Sequence, residues 1–348
     1  MRVLILLSLL LLLLGCEPQQ SNKNNQSVVW RLATTWPAQF PGLGEAPLQL
    51  AKLVEEASSG QFIIDVYGAG EVVPSFELFR AVSKQTVEMG HSSAYYWQDL
   101  MPAAPFFSAV PFGMRAAEMN GWLYFGGGLE LWRSLYAPYG IIPYPGGNSG
   151  PQMGGWFNHS IESVEDLVGL KIRIPGFGAS VLKSIGAIPI QLAGDELYSA
   201  FERGIIDAME WVGPYNDLSF GLHQLGRYYY YPAWHEPSTQ MEFLVNQAAF
   251  DSLPLHYQRI LEMAMHTVNE QLEGKYLIKN QQALDAMLHE HNVVLRRFPP
   301  VVLAVLKQHT DNLLLTLASH DPQFHQIYTS YSNHLLRLRN MRNLSGGL

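Results

Sequence analysis

A guanidinium can hold a carboxylate through two parallel N–H···O bonds, and Arg173 stands where such a grip is useful. It belongs to Leu170-Lys171-Ile172-Arg173-Ile174, whose alternation predicts a strand closed by Pro175-Gly176. The carboxyl ends of strands in an open α/β sheet face the crevice where ligands bind. Glu210-Trp211 ends a second apolar run, 205–211, and a turn rich in polar and aromatic groups follows it, Val212-Gly213-Pro214-Tyr215-Asn216-Asp217. The glycine-rich stretch 146–156 lets backbone approach a ligand closely and offers Asn148 and Gln152 as neutral hydrogen-bonding groups. The same glycines suit a crossing between two lobes. Tyr95-Tyr96-Trp97, after a third strand-like run, can wall a site or simply pack.

Hydrolytic chemistry finds less support. Gly147-Asn148-Ser149-Gly150-Pro151 approaches a nucleophile elbow but lacks the last glycine. His289-Glu290-His291 lacks the spacing of a helical zinc motif and reads as a solvated helix face, and His235-Glu236 has the same weakness. The expectation is a binding protein, not an enzyme.

The elements that must position these residues alternate. Strands are predicted over 28–33, 62–67 and 87–92, with helices over 46–58 and 75–84 between them. Helical stretches follow near 115–125 and 129–136. A second α/β run covers strands 170–174, 187–192 and 205–211, with helices over 179–185 and 195–203. Strands 228–234 and 241–246 come next, then helical patterns over about 255–291 and 300–340. Such alternation predicts βαβ units and a mainly parallel sheet in each of two lobes. The fold class is therefore α/β, two lobes facing across a cleft, with long C-terminal helices. The first lobe is expected over 28–146 plus about 238–275, and the second over 147–237 plus about 276–299. The helical region 300–348 carries Val302, Val305, Leu306, Leu313, Leu314 and Leu317 at helical spacing and is expected to mediate dimerisation.

The N-terminus is a targeting segment. Met1-Arg2 precedes an apolar run, 3–14, that is too short to span a bilayer as an anchor. It ends in Leu13-Leu14-Gly15-Cys16, the pattern of a bacterial lipobox, which makes Cys16 the lipidated first residue after cleavage of 1–15. Cys16 is the single cysteine of the 348 residues, so disulfides are excluded. Residues 16–27 are polar and read as a tether. The net charge of −8 does not suit nucleic acid.

Several of these segments together resemble the substrate-binding subunits of tripartite ATP-independent periplasmic (TRAP) transporters. The resemblance runs over about 28–335. It is carried by Asp166-Leu167-Val168-Gly169-Leu170-Lys171-Ile172-Arg173, by Gly186-Ala187-Ile188-Pro189, and by the stretch from Leu197-Tyr198-Ser199-Ala200-Phe201-Glu202-Arg203-Gly204 to Ile205-Ile206-Asp207-Ala208-Met209-Glu210-Trp211. Gly147-Asn148-Ser149-Gly150, Gln152-Met153-Gly154-Gly155-Trp156-Phe157 and Glu210-Trp211-Val212-Gly213-Pro214 are similar to the branch that binds 2-oxo acids and lactate.

The resemblance implies a two-lobe periplasmic-binding-protein (Venus-flytrap) fold, and that Arg173 binds the carboxylate. Gln152, Glu210 and the main-chain carbonyl of Trp211 would hold a cation that in turn holds the substrate. Asn148, Tyr95 and Tyr96 would contact the substrate, and the loop Ser238-Thr239-Gln240-Met241-Glu242 suggests Gln240 and Glu242 as further cation contacts. Partners implied are the transporter's membrane subunits and a second copy of the chain. A receptor for a membrane sensor is the alternative, and an envelope hydrolase a weaker one. Electrostatics supports the cation independently. A captured carboxylate about 4 Å from an ionised Glu210 costs roughly 4 kcal/mol at an effective dielectric near 20. Either Glu210 is protonated or a hard ion lies between them. An all-oxygen donor set suits sodium or calcium rather than zinc or copper. One carboxylate suits sodium; a second, from Glu242, favours calcium.

Overall fold

The computed structural model describes residues 27–192 and 194–344. The signal segment, Cys16 and nearly all of the tether lie outside these residues. Elements run in the order β1 (Val28–Thr34), α1 (Glu45–Ala57), β2 (Phe62–Tyr67), α2 (Leu78–Ser83), β3 (Met89–Ser92), α3 (Ala116–Phe125), α4 (Gly128–Tyr136) and β4 (Ile141–Asn148). Next come β5 (Gly155–Phe157), β6 (Lys171–Arg173), α5 (Gly176–Ser184), β7 (Ile188–Ile190), α6 (Gly194–Glu202), β8 (Ala208–Met209), α7 (Pro214–Ser219) and β9 (Tyr228–Tyr231). The chain finishes with β10 (Gln240–Asn246), α8 (Gln247–Ser252), α9 (Leu255–His289), β11 (Val294–Arg297), α10 (Pro300–His320) and α11 (Pro322–Leu344).

The strands form two sheets, each the centre of a lobe. The first has the order β2-β1-β3-β10-β4 and the second β11-β9-β5-β8-β6-β7. Each is mainly parallel, as expected, with one strand reversed. β10 runs antiparallel to both β3 and β4, and β5 runs antiparallel to both β8 and β9. The cause is the crossing of the chain between lobes. β4 leaves the first sheet and β5 enters the second; β9 leaves the second and β10 returns to the first. Each returning strand inserts against the direction of its neighbours. Parallel pairing is confined to βαβ runs such as β1–β2 and β6–β7, and to β11 beside β9.

A third crossing is α9 itself, 35 residues and about 50 Å long. Two buried asparagines on it fasten the other crossings. Asn269 Oδ1 accepts from Gly147 N (3.0 Å) and from Gln240 Nε2 (2.7 Å). Asn280 Oδ1 accepts from Tyr215 N (3.0 Å), and its Nδ2 donates to Ser149 O (3.3 Å). The helix is thus a spine along which both lobes are registered.

The C-terminal helical pattern is broken once. Asp321 caps α11, its Oδ1 accepting from Gln323 N (2.8 Å) and Phe324 N (3.1 Å), and Pro322 supplies the fixed φ of a first helical turn. Part of the apolar stripe expected to form a dimer surface is spent inside the chain, while Val305, Leu313 and Leu317 stay half-buried. Val302 and Leu306 pack into the second lobe's core, and Leu314, Phe324, Ile327 and Tyr331 into the first lobe's. Full burial of such side chains contributes about 1.5–3 kcal/mol each. Among the described residues no helix is long and apolar enough to cross a membrane.

Candidate functional site

Arg173 closes β6 at the seam of the lobes and is only 2% exposed. Its partner on one side is the acid at the other strand end: Nη1 donates to the Glu210 carbonyl (2.6 Å) and to Glu210 Oε2 (3.1 Å). The guanidinium also lies over the Trp211 ring, 5.1 Å from its centroid. From the first lobe, Tyr96 OH accepts from Nη2 at 3.3 Å. The two tyrosines of the 3₁₀ turn Ala94–Trp97 meet edge to face, with centroids 4.7 Å apart. Gly176 follows Arg173 closely because Tyr95 presses on it. It adopts φ +62°, and a Cβ there would lie 3.1 Å from the Tyr95 Cβ.

Around this pair the structure gathers acids. The ligating atoms of Glu210, His235 and Glu236 all lie within 4.8 Å of one another, and all three residues are buried. Burial pushes the Glu210 carboxyl up to about 8 despite the pull of Arg173. Burial, with Glu210 beside it, pushes Glu236 up to about 7. Burial lowers His235 to about 4, so its 3.6 Å approach to Glu210 Oε1 is that of a neutral ring and not an ion pair. Glu236 is steadied by a hydrogen bond from Thr239 Oγ1.

Gln152 is oriented with unusual completeness. Its Nε2 donates to Ser149 Oγ (3.1 Å) and Thr239 Oγ1 (2.7 Å), which fixes which end of the amide is oxygen. Its Oε1 is buried and has no hydrogen-bond partner among the described residues; the same is true of Glu210 Oε1, Ser93 Oγ and the Trp211 indole nitrogen. Buried polar groups are normally satisfied, so acceptors left open at one seam mark a place for a ligand. Ser93, Gln152 and Trp211 line one small cavity of about 10 Å³, room for about one water. A cation fits this donor set. It would satisfy the open oxygens of Gln152 and Glu210, with Glu236 within reach of the same cluster, and it would offset the burial cost that raises both acids.

Not every residue expected at the site reaches it. Glu242 faces the other way. Met241 lines the cavity, and strand alternation sends the next side chain into the first lobe's core. There Glu242 accepts from Trp97 Nε1 (2.5 Å) and Tyr136 OH (2.9 Å). Gln240 serves the crossing segments, its Nε2 donating to Gly147 O (2.8 Å), Met241 O (3.0 Å) and Asn269 Oδ1. Asn148 does likewise, donating to Gln240 Oε1 (3.4 Å) and accepting from Gly150 N (2.9 Å). The second acid of the cluster is Glu236, in a dipeptide that looked like a surface pair. The available signal was its position: Trp234-His235-Glu236-Pro237 fills the crossing from β9 to β10, the counterpart of the Gln152 crossing.

Two lobes joined by three crossings, closing on a buried arginine and on unpaired acceptors, define a solute-binding protein. Sequence comparison agrees: the model of the family described as bacterial extracellular solute-binding protein, family 7, matches residues 32–321, and the chain belongs to that family. A monocarboxylate 2-oxoacid-binding periplasmic protein of Nostoc sp. is 40% identical over 305 residues, 88% of this chain and 83% of that protein. A TRAP periplasmic solute-binding protein from Colwellia psychrerythraea, solved with bound calcium and pyruvate, superposes with a TM-score of 0.90 at 42% identity, covering 92% of this chain and 98% of that one. Its counterpart from Pseudoalteromonas atlantica T6c, solved with bound sodium and pyruvate, gives a TM-score of 0.89 at 41% identity, covering 92% and 97%.

Proposed function

We propose that the protein is the extracytoplasmic receptor of a TRAP transporter and captures a small 2-oxo monocarboxylate, such as pyruvate, through Arg173 and a bridging cation. The observation that carries this reading is the pair of open acceptors buried at the seam, Gln152 Oε1 and Glu210 Oε1, the second on the residue that binds the Arg173 guanidinium. A 2-oxo acid presents a carboxylate oxygen and a neighbouring keto oxygen, a chelate for a hard ion. Arg173 takes the carboxylate, while Gln152, Glu210, Glu236 and the Trp211 carbonyl hold the ion. Tyr95 and Tyr96 close the first-lobe side. The relatives' ligands support both halves of this arrangement.

Charge counting addresses the ion. Glu210, Glu236 and a ligand carboxylate carry three negative charges against one from Arg173. Calcium balances them with both acids ionised. Sodium does so with one acid still protonated, which their raised affinities for protons allow. Lipidation at Cys16 would hold the receptor at a membrane in the periplasm. A second copy would pair on the outer face of the C-terminal helices, where Leu315, Leu336 and Met341 stay exposed; light scattering of the chain and of a variant with these three changed to serine decides that point.

Titration calorimetry with pyruvate tests the central claim. Binding is expected with calcium or sodium present and lost when both are withdrawn. Absence of heat for any short 2-oxo acid, with either ion supplied, defeats the reading.

A further inference from the structure

The small cavity has two kinds of lining. Ser93 and Gln152 bring open polar atoms to it, and Trp36, Leu43, Val212 and Met241 give it an apolar side. Trp36, Leu43 and Met241 are at most 2% exposed and come from the first lobe. A 2-oxo acid has the same asymmetry: its oxygens cluster at one end, and the other end is alkyl. With the oxygens on Arg173, Gln152 and the ion, the alkyl end is left to face the apolar side.

That side cannot retreat. Trp36 Nε1 donates to His91 Nδ1 at 3.0 Å, and His91 Nε2 meets the Gly146 carbonyl at 3.0 Å. The carbonyl can only accept, so the proton sits on Nε2 and the Nδ1 lone pair faces the indole. Gly146 belongs to β4 just before the first crossing, and a Cβ on it would lie 2.7 Å from the Glu242 carbonyl carbon, so the carbonyl is itself clamped. The Trp36 backbone N–H is held by Thr34 Oγ1 (3.2 Å). The indole is therefore fixed at both its nitrogen and its main chain, and it leans on Trp211 across the seam, centroids 6.4 Å apart.

We infer that Trp36, backed by Leu43 and anchored by His91, is the specificity-determining wall that restricts the ligand to 2-oxo acids with a short alkyl group. The inference rests on the proposed function and deepens it. Trp36 touches the ligand's alkyl end; His91 is a positioning residue that acts through Trp36. The competing location for a tail is the open pocket of about 530 Å³ at the mouth of the cleft, lined by Tyr95, Tyr96, Ala179 and Lys183.

The test is a calorimetric series of pyruvate, 2-oxobutyrate, 2-oxopentanoate and 2-oxohexanoate, at saturating calcium, on the full chain and on the W36L, L43A, H91L and A179L variants. The unaltered protein is expected to prefer pyruvate over 2-oxohexanoate by about tenfold or more, the selectivity that mismatched methylenes confer in a fixed pocket. W36L and L43A should each move the ratio toward the longer acids by about tenfold, through a gain for 2-oxohexanoate that a merely loosened fold would not give. H91L should move it the same way by less, and A179L not at all. If W36L fails to fold, L43A carries the test alone. A ratio unchanged in the folded wall variants, or changed in A179L instead, overturns the inference while leaving the receptor function standing. Failure of the unaltered protein to bind any member of the series defeats the function itself, and this inference with it.

Discussion

Two glutamates in this molecule look alike by every measure except one. Glu210, at the seam, and Glu242, in the first lobe's core, are each at most 1% exposed, and burial pushes each carboxyl up to about 8. They differ in where their oxygens go. Both oxygens of Glu242 are taken, by Trp97 Nε1 and Tyr136 OH. One oxygen of Glu210 meets Arg173; the other has no hydrogen-bond partner among the described residues, with His235 Nε2 standing off at 3.6 Å. A buried, proton-hungry acid is thus no sign of a ligand site by itself. The unfilled acceptor is, because a protein core rarely leaves one without a use.

The comparison can be broken most severely at Arg173. Arg173→Ala should cost roughly 2–5 kcal/mol of pyruvate affinity, since the ligand carboxylate and Glu210 would both lose a buried partner. Arg173→Lys keeps the charge but not the planar fork, and should recover only part of it. Calorimetry on both variants, with melting curves of the ligand-free proteins, separates lost recognition from lost folding.

The next contrast sets the two acids against each other directly. Glu210→Gln should weaken calcium-dependent binding by about 100-fold, since it removes an anionic ligand from the ion. Glu242→Gln should change it by less than about threefold, since a side chain paired within the core contributes nothing new on binding. Equal losses in the two variants would erase the distinction drawn between them.

How far the sequence revealed these positions follows from the kind of signal each residue carries. Arg173 and Glu210 were legible because they end strands, and strand ends in α/β folds open onto the cleft. The helical spine was legible in its amphipathic length, and the C-terminal break at Pro322 could have been read from the Asp-Pro pair. Glu242 was misplaced because its loop was recognised without its register. A shift between Gln240 and Glu242 interrupts the ladder, and one position along a strand turns a side chain to the opposite face. Glu236 was hidden because it belongs to no periodic element. Trp36 was hidden for another reason: its role depends on His91 and Gly146, more than fifty residues away. β11, only Val294–Arg297 between two helices, exists because β9 offers it an edge.

A smaller effect sharpens the comparison from the core side. The folded Glu242 carboxyl, raised from 4.5 to about 8, keeps its proton in the fold after the unfolded chain has released it. The native state then binds more protons, so its contribution to stability is complete below about 4.5 and is lost as pH rises through about 8. Glu242→Gln preserves an acceptor for Trp97 without a titrating proton. Denaturation at pH 5 and pH 8.5 should show the variant losing less stability between the two, by on the order of 1–3 kcal/mol. A parallel loss in both proteins would mean that Glu242 is ionised in the core.

The smallest effect is expected at the rim, where water competes. Gln98 Nε2 donates to Ser180 Oγ at 3.1 Å, a bond from the first lobe to α5 of the second across the mouth of the cleft. It exists only when the lobes are together, so it favours the closed form without touching the ligand. Half-exposed neutral bonds of this kind contribute about 0.5–1.5 kcal/mol. Ser180→Ala should therefore weaken pyruvate binding by only about two- to tenfold. The change should lie in a faster off-rate with the on-rate nearly unaltered, since opening precedes release. Stopped-flow fluorescence of the tryptophans at the seam reads both rates. Glu210→Gln should instead alter the calcium dependence of those rates. A Ser180→Ala protein whose binding became calcium-independent would show that rim and seam are not separable in the way the hydrogen bonds indicate.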